Sequence, residues 1–172
     1  SEAHVQSILT GGLQASRSGH VWGTDVSGSG LTYITTTQAN AVSGGGWLLD
    51  HGADGLAVLG TTGEANSFSV AERHLLLDAL AEGGIPGHAL LPGVGCCAIP
   101  DTVELTKKAL AVGSAGVVML PPFYYKNVSD DGLFAAYSEV IESVGDSRLK
   151  VYFYHFPAMS NVPIRHDLIA RL

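Results

Sequence analysis

The sequence predicts an α/β chain built from successive βα units, and three observations carry that prediction. Apolar runs of strand length at 56–59, 89–91, 117–120 and 151–154 alternate with amphipathic segments of helix length. The runs are continuous rather than alternating, as in strands buried on both faces of a parallel sheet. Their starts near 55, 88, 116 and 150 lie about 30 residues apart, the size of one βα unit. A doubly wound sheet and a (β/α)8 barrel both fit this order. A full barrel takes about 250 residues. For a chain of 172 residues, the barrel reading therefore implies a partial barrel, with four strong βα units.

Each helix has a start signal. Ser69-Val70-Ala71-Glu72 fits a capping box, with the Ser oxygen accepting an N–H and the Glu reaching back. Asp101-Thr102-Val103-Glu104, after Pro100, offers the same arrangement with Asp as the cap. Ser129-Asp130-Asp131 places a cap and two carboxylates at the positive end of a third helix. That helix carries an apolar stripe at 133, 134, 137, 140, 141 and 144. A short helix is expected at 47–51 and a last one from about Arg165.

Residues 1–46 read differently. They hold 9 Gly, 7 Ser, 6 Thr, a single Arg and no Lys. They show no helical period and only weak alternation, at Leu31-Thr32-Tyr33-Ile34-Thr35. Loop, disorder or weak strand is the expectation there. The division is 1–46 as an atypical N-terminal segment and 47–172 as an incomplete α/β domain.

Composition narrows the function. The net charge is −7 and 46% of residues are hydrophobic. The four lysines, Lys107, Lys108, Lys126 and Lys150, form no basic patch, which argues against nucleic acid and anionic membranes as partners. No apolar run approaches the roughly 18 residues of a membrane span. The only cysteines, Cys96 and Cys97, are adjacent and make neither a metal site nor a disulfide framework. They read as small buried residues in a reducing cytoplasm. No metal or cofactor is expected.

In both architectures function lies beyond the C-terminal ends of the strands. Those ends are Gly60-Thr61-Thr62-Gly63-Glu64, Pro92-Gly93-Val94-Gly95-Cys96, Pro121-Pro122-Phe123-Tyr124-Tyr125 and Tyr154-His155-Phe156-Pro157. The first could be a plain turn, a phosphate cradle or part of an active site. No G-K-S/T follows it and it is not G-x-G-x-x-G, so the phosphate reading has no fingerprint. Tyr124, Tyr125 and Tyr154 could each be packing aromatics. His155 should face the opposite side of its strand from Tyr154 and is read as structural. Hydroxyls, glycines and phenols at four separate strand ends nevertheless converge on one rim.

G-T-T-G-E, P-P-F-Y-Y and Y-H-F-P at this spacing resemble the dihydrodipicolinate synthase / N-acetylneuraminate lyase family. Its members are class I, pyruvate-handling aldolases on a (β/α)8 TIM barrel. The resemblance covers about 47–172 and implies strands two to five of that barrel. It implies chemistry in which a lysine amine forms a Schiff base with a keto acid, a tyrosine moves protons, and hydroxyl and N–H groups hold the carboxylate. Carried over residue by residue, Tyr154 is the general acid/base and Thr61 a relay hydroxyl. Tyr124, with Tyr125 as the alternative, is the second relay tyrosine, reaching across a subunit interface in a homo-oligomer. Thr62, with Thr61 and Gly63, forms the substrate-binding stretch; Gly60, Gly63 and Glu64 shape the loop.

Two departures qualify the match. Pro157-Ala158-Met159-Ser160-Asn161 lacks the arginine that grips the aldehyde's carboxylate in the synthases. That points to a 2-keto-3-deoxy sugar acid rather than aspartate semialdehyde. The family's Schiff-base lysine is expected beyond Leu172. Lys107 and Lys108 sit mid-helix, Lys126 in a loop and Lys150 at the wrong end of a strand, so none replaces it. On this reading the chain alone binds a keto acid without turning it over.

Overall fold

The computed structural model describes residues 31–34 and 38–172. Strand β1 (Leu31–Ile34) is followed by helix α1 (Gln38–Asp50), strand β2 (Gly55–Val58) and helix α2 (Val70–Glu82). Helix α3 (Ile99–Ala111), strand β3 (Val117–Met119), helix α4 (Asp130–Val144) and strand β4 (Val151–Phe153) come next. Two one-turn helices, α5 (Pro157–Ser160) and α6 (His166–Ile169), complete the order.

Every strand pairing is parallel. β1 pairs with β2, Leu31 opposite Gly55, and β3 with β4, Val117 opposite Val151. The run predicted as a strand at 89–91 is instead a 3-10 turn at Gly87–Ala89 followed by two isolated bridges, Leu56 to Leu90 and Gly93 to Val118. Pro92 supplies the reason: it has no N–H to donate to a ladder. Its carbonyl still accepts from Val118 N at 2.8 Å, while Gly93 N donates to Val58 O at 2.7 Å. The segment thus joins the two strand pairs. The lateral order follows the chain and never reverses, whereas a doubly wound sheet reverses at its switch point.

Helix α1 corrects the reading of the N-terminal part. It begins at Gln38 rather than near Trp47, so the composition change at 46 falls inside a helix. Each glycine of Gly44-Gly45-Gly46 costs about 1 kcal/mol against alanine there. Packing overrides that penalty: Ala41 is buried, and Val42, Leu48 and Leu49 pack on the core formed by β2 and α2. The weak alternation at 31–34 is a parallel strand paired with β2, so one neighbour of β2 lies in the atypical segment.

The capping box of α2 forms as predicted. Ser69 Oγ accepts from Glu72 N at 3.3 Å and Glu72 Oε2 accepts from Ser69 N at 2.8 Å. α4 is capped by Ser129, whose Oγ accepts from Gly132 N at 3.1 Å, and ends on left-handed Gly145. α3 differs: it starts one turn earlier, with Ala98 as the cap, Pro100 in the first turn and Asp101 inside it. Proline without an N–H is tolerated there, and Asp101 complements the dipole instead of capping it.

The hydrophobic core falls into two clusters. One holds Leu56, Val58, Leu76, Leu77, Leu80 and Leu90 between α1, β2 and α2. The other joins Leu105, Ala109, Val117, Met119, Leu133, Tyr137, Val140 and Leu168 across α3, β3, α4 and α6. Each buried leucine contributes about 1.5–3 kcal/mol. β2 is buried throughout, as its run predicts. β4 is not: Val151 and Phe153 are half-buried and Tyr152 is 52% exposed. Among the described residues β4 pairs only with β3, so its far side is an open edge. No helix among the described residues is long and apolar enough to cross a membrane.

Candidate active site

The C-terminal ends of the strands enclose a small open cleft. Leu59, Gly60 and Thr61 line it from the end of β2, with Ala65 and Asn66 from the turn beyond. Gly93 and Gly95 come from the joining segment, Val118 and Leu120 from β3, and Tyr154 from the end of β4. The lining residues with polar side chains are Thr61, Asn66 and Tyr154. Among the described residues, no charged side chain lines it.

The walls approach so closely that a side chain at Gly93 has no room. A Cβ there would stand 2.0 Å from Leu59 O. Gly63 is tight to a lesser degree, its Cβ position 3.1 Å from Gly60 N where the turn folds back on itself. Within that turn Glu64 N donates to Thr61 O at 3.0 Å and Ala65 N to Gly60 O at 3.2 Å. Leu59 and Glu64 bracket it in the left-handed region, at φ 57° and 49°. Side-chain-bearing residues pay roughly 1–2 kcal/mol for that conformation. The surroundings therefore hold the loop in shape.

Thr61 and Tyr154, predicted from separate strand ends, are brought to one cleft. Tyr154 is half-buried; its N donates to Met119 O at 2.9 Å and its ring packs on Phe156 at 5.7 Å. Thr62 is half-buried and Gly63 buried, both in the turn but outside the cleft lining. Tyr124 is 75% exposed and Tyr125 60% exposed, their rings edge-on at 5.4 Å, and neither lines the cleft. His155 is structural, its Nδ1 accepting from Ile164 N at 3.1 Å. The Lys126 ammonium donates to Phe123 O, and to Ser160 O at 3.0 Å, tying the loop after β3 to α5.

The cysteines are half-buried rather than buried. Cys96 Sγ accepts from Arg73 Nη1 and Cys97 Sγ from Tyr124 N, each at 3.4 Å. Burial pushes the Cys96 thiol up, and the Arg73 charge only partly opposes it. The thiol is therefore a neutral acceptor. Among the described residues no three potential ligands gather into a metal site.

Arg73 escaped the sequence reading. It is 4% exposed on the inner face of α2, with Nη2 donating to Ala65 O at 2.5 Å. The signal was present: positions 73, 76, 77 and 80 share the i, i+3, i+4, i+7 spacing of a buried face, and the other three are leucines. Asn66, one residue beyond the G-T-T-G-E turn and its following alanine, was likewise unassigned.

A cleft beyond the carboxyl ends of consecutive parallel strands, walled by glycines and furnished with a phenol and a hydroxyl, has the layout of an α/β barrel enzyme's binding site. The chain belongs to the dihydrodipicolinate synthetase family, whose model matches residues 45–172. An uncharacterized DapA-like lyase of Chloroflexus aurantiacus is 36% identical over 125 residues, 72% of this chain and 40% of that protein. The crystal structure of dihydrodipicolinate synthase from Agrobacterium tumefaciens aligns with a TM-score of 0.75 and 30% identity, over 80% of this chain and 47% of that one. A prophage protein of the family from E. coli K12, solved in complex with pyruvate, aligns with a TM-score of 0.68 and 27% identity, over 79% and 44% of the two chains. The chain thus spans about two-fifths of the length of the curated relatives it matches. Family members are carbon–carbon lyases and aldolases.

Proposed function

We propose that these residues form the keto-acid end of a class I aldolase or lyase that makes or breaks a carbon–carbon bond to pyruvate. One observation carries the reading: Thr61 and Tyr154, from different strand ends, line one cleft. The pyruvate complex of the E. coli relative supports the ligand class. β1, β2, the 90–94 segment, β3 and β4 would then be strands one to five of an eight-stranded barrel.

In this chemistry a lysine amine from outside these 172 residues adds to the keto carbon. The resulting carbinolamine loses water to give the imine, which accepts the electron pair of the bond being broken. Tyr154, in reach of the cleft, gives a proton to the departing hydroxyl and later takes one back, with Thr61 passing it on. The substrate carboxylate would be held at the same turn, by Thr61 at the cleft and by the hydroxyl of Thr62 and the N–H of Gly63 once the turn that keeps them behind the lining opens to admit it. Tyr124 stands outside its own cleft and exposed, which suits delivery to a neighbouring copy in a homo-oligomer. Met159, 59% exposed, occupies the stretch in which a synthase arginine is expected, and Arg165 beyond it pairs with Asp130 at 3.5 Å. That supports a 2-keto-3-deoxy sugar acid over aspartate semialdehyde.

Among the described residues no lysine lines the cleft, and this favours a second reading, a fragment that binds keto acid or a partner subunit without catalysis. Titrating the 172-residue chain with pyruvate, followed by borohydride and intact mass, tests both. The expected outcome is pyruvate-dependent shifts of the Thr61 and Tyr154 resonances with no adduct mass. Absence of binding removes the keto-acid reading, and a stoichiometric adduct on Lys126 or Lys150 overturns the assignment of the amine.

A further inference from the structure

We propose that Arg73 is a positioning residue that sets the width of the cleft by clamping the loop after β2 to the turn that follows Gly95. Arg73 is 4% exposed and its guanidinium meets both walls at once: Nη2 donates to Ala65 O at 2.5 Å and Nη1 to Cys96 Sγ at 3.4 Å. Ala65 lines the cleft on one side, and Gly95, next to Cys96, lines it on the other. The charge has no carboxylate within ion-pair distance among the described residues, and its Nε has no partner.

Burying a cation on two neutral acceptors is costly, and a leucine would suit the same helix face better for stability alone. What leucine cannot do is bridge two separate backbone segments. The planar fork of arginine donates in two fixed directions, which the single ammonium of lysine does not reproduce.

The clamp reaches Thr61 through the turn itself. The bonds from Ala65 N to Gly60 O and from Glu64 N to Thr61 O make 60–65 a closed unit, so fixing Ala65 fixes the backbone that carries Thr61. The opposite wall is anchored independently, because Thr102 Oγ1 accepts from Cys96 N at 3.0 Å. With Leu59 and Glu64 both at positive φ, the turn carries strain that must be opposed from outside, and Arg73 is the side chain placed to oppose it.

The consequence for ligand binding rests on the keto-acid reading above; the clamp itself does not, and the experiment separates the two. Arg73→Met keeps an apolar side chain of similar length. In it, amide exchange at Glu64 and Ala65 should accelerate about tenfold while the amide of Leu133, in the other core cluster, stays unchanged. Equal exchange at all three positions overturns the clamp. Arg73→Lys, which retains the charge and one donor direction, should show a smaller acceleration confined to the same two amides, and it carries the test where the methionine variant does not fold. Pyruvate affinity is then measured by titration. It should fall about tenfold in Arg73→Met, be partly restored in Arg73→Lys, and hold in Val140→Ala, a core variant on α4, which contributes no residue to the cleft lining. Unchanged affinity in Arg73→Met, with accelerated exchange, removes the effect on the site. A wild-type chain that binds no pyruvate removes the keto-acid reading and leaves the exchange result to decide the clamp.

Discussion

The loops after β2 and β3 leave their strands at the same rim, yet they are held in opposite ways. The loop after β2 is folded onto itself, bracketed by left-handed Leu59 and Glu64, closed around buried Gly63 and tied from behind by Arg73. The loop after β3 carries two tyrosines into solvent, fastened by the Tyr124 N–H on Cys97 and by Lys126 on two carbonyls. The chain's own packing supplies everything needed to place Thr61. It supplies little to place Tyr124, whose exposed aromatic surface is suited to cover by something outside the chain. On the proposed reading, the site is preorganised on the β2 side and presented on the β3 side.

The largest effect that tests this contrast is steric. Gly93→Ala places a Cβ 2.0 Å from Leu59 O, so the wall must move, and we expect a loss of about 3 kcal/mol in denaturant unfolding. Tyr125→Ala, at an exposed position, should change stability by about 0.5 kcal/mol or less. Comparable losses in the two variants would erase the distinction between the loops. Next is ligand binding. Tyr154→Phe should weaken pyruvate about tenfold, near 1.4 kcal/mol, while Tyr124→Phe leaves the affinity of the isolated chain unchanged. A matching loss in Tyr124→Phe would place that ring in its own cleft and overturn the presented-loop reading.

Smaller effects probe the supports. Ser69→Ala removes the cap at the start of the helix that bears Arg73 and should cost about 1 kcal/mol, with amide exchange rising first at Glu72. Away from the rim, Asp146 serves as an electrostatic control. Hydrogen bonds from Arg148 hold its carboxyl down, at about 2, against an ordinary 3.8. Because the folded value is the lower one, its contribution is complete above the unfolded value and is lost as pH falls toward 2. NMR titration should find a midpoint near 2, and Arg148→Ala should return it toward 3.8 with no change at Thr61 or Tyr154.

Much of the frame was legible because its causes are local. Ser69 and Ser129 cap their helices through atoms three residues away, and of the stripe at 133, 134, 137, 140, 141 and 144 four members are buried while 134 and 141, at its margins, are half-buried. The cap of α3 was misplaced because Pro100 is compatible with an earlier start, which leaves Asp101 inside the first turn. The 89–91 run was misread because Pro92 interrupts its ladder while the carbonyls around it still bond on both sides. In the site, the residue types at each strand end were readable, and so was the convergence of Thr61 with Tyr154.

Tertiary structure decided what depends on distant neighbours. Gly44-Gly45-Gly46 is helical because Ala41, Val42, Leu48 and Leu49 find β2 and α2 to pack on, a gain that outweighs three poor propensities. Arg73 is buried because two carbonyl- and thiol-bearing turns, eight and 23 residues away, close over it. β4 is half-exposed because nothing among the described residues pairs with its far edge. By itself the sequence determined the parallel α/β plan and which residue types stand at the strand ends, since turns, caps and apolar runs act over a few residues. Which of those groups share a cleft, and what holds the cleft open, was set only when segments far apart in the chain came into contact.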